Sequence, residues 1–259
     1  MKNYIGIWIM LFVSFVLFAA LSFYDTIDVG GQELKTSDIL SVLTEKPDEV
    51  VATEIETANE LATSVETKIE VDTASQTILF IGDSMLEGLS PRLAAYAKHN
   101  GHKLYTVIWY SSTSEIWGET TKLAEYIKKY KPTYVFICLG ANELFVRDIS
   151  SKRDKYVKNI ISQIGSLPYV WIGPPNWKED TGINDLIATN VAQGTFFLSN
   201  GMHFDRASDG AHPTRSSAIL WMDSVARWMP NHSAHPILME LPKEHTARAT
   251  RIEVLQPKR

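Results

Sequence analysis

The 259-residue sequence holds a single cysteine, Cys138. That excludes an intramolecular disulfide framework and any metal site built on several thiolates. Cys138 stands in the apolar run Tyr134 to Leu139 and reads as a buried, inert thiol. A basic excess is also missing: 25 Lys and Arg face 30 Asp and Glu, for a net charge of −5, so nothing points to a nucleic acid as partner. His99, His102, His232, His235 and His245 share no metal-ligand spacing with a carboxylate, and neither a metal nor another cofactor is expected. From Glu45 to Gln76 the chain has no aromatic residue and no glycine. Such a stretch buries little and is expected to be a solvated, flexible stalk. It carries nine acidic residues against Lys46 and Lys68, so the acidity belongs to a connector and says nothing of a substrate.

Charge is absent again between Ile5 and Phe23, a run of 19 residues. As a helix it would reach about 28 Å, close to the hydrocarbon thickness of a bilayer. The run is longer than the apolar core of an ordinary secretory signal. It is therefore read as an uncleaved anchor over residues 1–24, although Ala20-Leu21-Ser22 offers a small-x-small cleavage site. Lys2 precedes the run, and Asp25, Asp28 and Glu33 follow it. By the positive-inside rule the bulk of the chain is expected outside the cytoplasm, periplasmic or extracellular. Residues 25–76 would hold a short membrane-proximal element and the acidic stalk.

At Thr77 the pattern changes. Short apolar runs at 78–81, 103–109, 134–139, 169–172 and 195–198 read as strands. Stretches with apolar residues at helical spacing lie between and after them, at 91–99, 117–130, 153–164, 185–192 and 214–229. Apolar strands alternating with helices predict a parallel sheet covered on both faces. In such a sheet, function gathers in the loops beyond the carboxyl ends of the strands. Those loops are 82–90, 110–117, 140–147, 173–184 and 199–213. The tail over 230–259 is rich in Pro and charge and is expected to be an irregular extension.

The first loop holds Gly82-Asp83-Ser84, where the serine is either a nucleophile or a helix N-cap. The last holds Asp209-Gly210-Ala211-His212-Pro213-Thr214. There a histidine could take a serine proton while the aspartate fixes its tautomer; a capping Asp and a surface His is the plainer alternative. The third holds Gly140-Ala141-Asn142-Glu143, with an amide able to donate to a developing oxyanion or to serve a turn.

Taken together, these three segments resemble blocks I, III and V of the SGNH (GDSL-like) hydrolases, over roughly residues 77–229. The resemblance implies a flavodoxin-like three-layer α/β/α domain with a five-stranded parallel sheet in the order 2-1-3-4-5. It also implies ester hydrolysis through an acyl-serine. By block position, Ser84 would be the nucleophile and first oxyanion donor, Asn142 a second donor, and Asp209 and His212 the triad partners. Block II usually supplies a glycine N–H. Here the second strand runs into Trp109-Tyr110-Ser111-Ser112-Thr113-Ser114, and Ser114 is taken as the donor nearest that position. Glu143 replaces the usual aspartate and is read as structural.

Among the aromatics near these loops, Trp177 is the candidate for substrate contact, and Arg206 is a candidate cation for an anionic group. Three readings compete. One is an esterase removing small acyl groups from a carbohydrate or envelope substrate. Another is an O-acyltransferase of the same fold acting on a polysaccharide. The third is a non-catalytic carbohydrate-binding domain. An anchor would also leave room for a membrane acyltransferase partner that supplies the acyl group.

Overall fold

The computed structural model describes residues 26–29, 32–35 and 70–257. The chain divides into two units, 1–66 and 67–259. In the first, β1 (Thr26–Val29) and β2 (Gln32–Lys35) pair antiparallel, with Thr26 opposite Lys35. The anchor expected over 5–23, and the stalk as far as residue 69, lie outside the described residues. Among the described residues no helix is long and apolar enough to cross a membrane.

The second unit alternates strand and helix. In chain order these are β3 (Thr77–Gly82), α1 (Leu86–His99), β4 (Lys103–Trp109), α2 (Ser114–Glu119), α3 (Lys122–Tyr130), β5 (Tyr134–Cys138) and α4 (Ile149–Ile164). They are followed by β6 (Tyr169–Ile172), α5 (Ile183–Asn190), β7 (Phe196–Phe197), α6 (Arg215–His232) and β8 (Arg251–Leu255). The strands form one sheet in the order β7-β6-β5-β3-β4-β8, parallel at every pairing.

Successive side chains of a strand point to opposite faces, and the sequence uses both. Ile78 and Phe80 of β3 join one buried cluster with Leu89 and Leu93 of α1 and Trp221 and Val225 of α6. Leu79 and Ile81 join the other, with Trp117 of α2, Leu123 of α3, Val157 and Ile160 of α4 and Ile187 of α5. The result is a three-layer α/β/α unit with β3 near the middle of the sheet. Burying one such aliphatic side chain contributes about 1.5–3 kcal/mol. Gly82 ends β3 where a Cβ would lie 2.2 Å from Cys138 O, so the first functional loop leaves the sheet at a point only glycine fits.

Two boundaries differ from expectation. The sheet has six strands, because the tail after α6 is not irregular throughout: Arg251 to Leu255 pair with Tyr105 to Trp109 as β8, beside β4. Between α6 and β8 the chain forms a strap across α1. His102 Nε2 lies 2.7 Å from Leu238 O, Ala247 N–H donates to Pro91 O, and the Arg92 guanidinium donates to the carbonyls of Glu244 and His245. The unit also begins before Thr77. Asp72 N–H donates to Pro236 O, and Leu238 N–H donates to Asp72 O, which ties the end of the expected stalk to the strap.

Candidate active site

Ser84 sits in the turn between β3 and α1, at the carboxyl edge of the sheet. Its hydroxyl does not cap α1, whose N-cap makes no side-chain bond. Instead Ser84 Oγ lies 2.7 Å from His212 Nε2. On the far side of the imidazole, Nδ1 is 2.7 Å from Asp209 Oδ2. The carboxylate fixes the proton on Nδ1, leaving Nε2 to accept the serine hydroxyl. Asp209 Oδ1 also accepts the N–H groups of His212 and Ala211. Those backbone bonds, His212's first, and then the imidazole's own hydrogen bond hold the Asp209 carboxyl down at about 2. The three residues form a Ser–His–Asp triad.

The comparisons with known proteins can now be set beside this geometry. A scan against protein-family models and a search of the curated proteins find no match. Among solved structures, the chain is similar to a psychrotrophic esterase from Pseudoalteromonas sp. (20% identity, TM-score 0.43), over 60% of this chain and 99% of that one. A two-domain esterase active on acetylated mannans is similar at 12% identity and TM-score 0.46, over 60% of this chain and 48% of its own. A salicylyl-acyltransferase from a tetracycline biosynthetic pathway is similar at 14% identity and TM-score 0.42, over 60% of this chain and 55% of its own. Likeness at this level adds nothing to the reading of the site, which rests on its own distances.

Gly210 gives the triad loop its turn at φ 72°, and Gly210 N–H donates to Ala207 O. Thr214 begins the next helix by accepting Ser217 N–H through its hydroxyl. Arg206 fastens the loop from the side. Its guanidinium lies 2.9 Å from Ala211 O, 3.3 Å from Asn176 O and 3.5 Å from Pro175 O, and burial lowers its pKa. The structure places Arg206 against these backbone carbonyls, where it positions the His212 loop, and outside the lining of the cleft beside Ser84. Trp177 lies outside that lining as well. Its indole N–H donates to Ala141 O at 3.0 Å, and it stands apart from the cleft around Ser84. It braces the loop that carries Asn142.

Asn142 Nδ2 donates to Ser112 O at 3.0 Å and lies 3.5 Å from Asp83 Oδ2. One N–H is thus engaged at Ser112 O, and the other makes only the long contact to Asp83. Ser114 does not supply a further donor. It is fully buried, its N–H donates to Glu143 Oε2 and its hydroxyl to Glu143 Oε1, both at 2.8 Å. Glu143, also fully buried, is completed by Arg153 Nε at 2.8 Å, and burial raises its pKa against these bonds. The pair is structural, as the sequence suggests for Glu143.

The donor overlooked in the sequence is Ser111. It lies two residues beyond the end of β4, lines the same cleft as Ser84 and takes φ 56°, the left-handed conformation that favours glycine. Among the described residues its N–H has no protein acceptor. The signal was its distance from the strand end, not its residue type. Asp83 is the other unforeseen group. It is fully buried beneath the nucleophile and accepts Met85 N–H at 2.9 Å. Burial pushes its carboxyl up to about 7, against the Met85 bond and the His212 charge, with Glu143 adding to the rise.

Among the described residues no group of three or more His, Cys, Asp or Glu side chains could hold a metal ion. Cys138 is buried, and burial raises its thiol pKa well above the usual range.

Proposed function

We propose that the chain is a serine esterase that removes small O-acyl groups, acetyl above all, from a carbohydrate or cell-envelope substrate. The observation that carries this reading is the unbroken hydrogen-bond chain from Ser84 Oγ through His212 to Asp209, each contact 2.7 Å. His212 Nε2 takes the serine proton as Oγ attacks the ester carbonyl. The oxyanion is received by the N–H groups of Ser84 and Ser111 and by Asn142 Nδ2. The imidazolium then gives its proton to the leaving alcohol, and an acyl-serine remains. Water, deprotonated by the same imidazole, releases the acid and restores the serine.

Hydrolysis is favoured over transfer by the openness of the site: the Asp209 and His212 side chains are 50% and 36% exposed, so water reaches the acyl-serine. A non-catalytic binding domain would have no use for a complete triad with the imidazole aligned on the serine. The uncharged run from Ile5 to Phe23 supports a single-pass anchor with the catalytic unit outside the cytoplasm, where acylated envelope glycans lie. The test is hydrolysis of p-nitrophenyl acetate by the wild type and Ser84→Ala. The variant is expected to lose activity by about 10⁴-fold; equal rates would remove the reading.

A further inference from the structure

We infer that Glu87 and Tyr110 form an alcohol-side subsite that selects a neutral, polyhydroxylated leaving group, the vicinal diol of a sugar ring. The inference rests on the esterase reading above and specifies its substrate. A cleft of about 620 Å³ opens beside Ser84, a size ordinary for a small-molecule site. His212, Asp209, Pro213, Arg215, Glu87 and Tyr110 line it, together with Thr246 of the strap. Asn142 is not in its lining. The leaving oxygen takes its proton from His212, which lines the cleft, so the alcohol is assigned to it.

Glu87 is one helical turn beyond Ser84, and Tyr110 immediately precedes Ser111. The Tyr110 hydroxyl donates to Glu87 Oε1, a bond that raises the tyrosine pKa. With that proton committed, the pair presents acceptors to the cleft: the phenol oxygen's remaining lone pair and Glu87 Oε2. Acceptors side by side suit a ligand offering two hydroxyl hydrogens. They repel an anionic alcohol such as a phosphorylated one, and they give an aliphatic alcohol nothing to bind. Arg215 lines the same cleft with no carboxylate partner among the described residues, and it supplies a donor for a ring or hydroxyl oxygen on the same ligand. A site built to bond hydroxyls discriminates strongly against an analogue lacking them, because its polar groups are then left unpaired.

The experiment compares kcat/KM for a mono-O-acetylated methyl glucoside with that for cyclohexyl acetate, which has the same ring size and no free hydroxyl. The wild type is expected to prefer the sugar ester by at least tenfold, and Glu87→Gln and Tyr110→Phe are each expected to cut that preference by about tenfold. A wild type that prefers cyclohexyl acetate, or variants that retain the full preference, would overturn the inference while leaving the esterase intact. A wild type inert toward both esters and toward p-nitrophenyl acetate would overturn the esterase reading and this one with it. If a variant does not fold, the wild-type preference still decides.

Discussion

At Ser111 the backbone sits at φ 56°, a conformation that costs a residue with a Cβ about 1–2 kcal/mol. Ser111 lines the cleft in this conformation, and glycine would hold the same shape without the strain. Ser111→Gly is therefore expected to retain kcat within about threefold and to lose no stability, since relief of strain offsets glycine's added chain entropy of about 0.5–1 kcal/mol. Asn142→Ala removes a donor made for the oxyanion and is expected to lower kcat by about 10²–10³-fold with little change in KM. A large rise in KM instead would make Asn142 a ground-state contact. Ser84, Asp209 and His212, which the structure brings together, were legible in the sequence because their neighbours form short recognisable segments. Ser111 was not, because its role depends on a backbone angle. Ser114 was misread because no residue pattern shows that Glu143 holds its N–H. Arg206 and Trp177 looked like free functional groups until their carbonyl partners from other loops came into view.

The strap between α6 and β8 is held by one buried knot. Arg92 Nε meets Asp223 Oδ1 at 2.6 Å, and the Arg92 side chain is only 3% exposed. Tyr96 donates to the same Asp223 oxygen, while Arg92 Nη1 reaches the strap carbonyls. Removing one partner of such a pair strands the other, at a cost of about 3–5 kcal/mol. Arg92→Ala is expected to lose stability of that order in urea denaturation. Because Thr246 of the strap lines the cleft, KM should also rise more than kcat falls. The helices and the first strands were readable from apolar spacing, with ends shifted by a few residues, except that the single helix expected over 117–130 is two, α2 and α3, broken at Thr120. β8 was not, since its apolar residues Ile252 and Val254 are largely exposed and its place beside β4 is set by long-range bonds. For the same reason Asp72, in the acidic stretch, gave no sign of its bridge to Ile237.

Across the molecule, two carboxyls set opposing pH dependences. Asp83 is raised by burial from 3.8 to about 7, so between these values the folded protein binds a proton that the unfolded chain does not. Its contribution to stability therefore falls as pH rises from about 4 to 7. Asp209 is lowered from 3.8 to about 2; its contribution is present above about 4 and is lost as pH falls toward 2. Asp83→Asn keeps an acceptor for Met85 N–H and is expected to flatten the decline between pH 4.5 and 7.5 in denaturant titrations. An unchanged slope would show that Asp83 ionises freely. Location belongs to this scale as well. In intact cells the catalytic unit is expected to be open to added protease and retained in the membrane fraction, and a soluble, protected chain would contradict the anchor.

The activation of Ser84 as a nucleophile is read out by fluorophosphonate labelling followed by peptide mass spectrometry. One phosphonyl adduct per chain is expected, located on Ser84, absent in Ser84→Ala and formed far more slowly in His212→Ala. An unlabelled wild type, an adduct on another residue, or undiminished labelling in the His212 variant would contradict it.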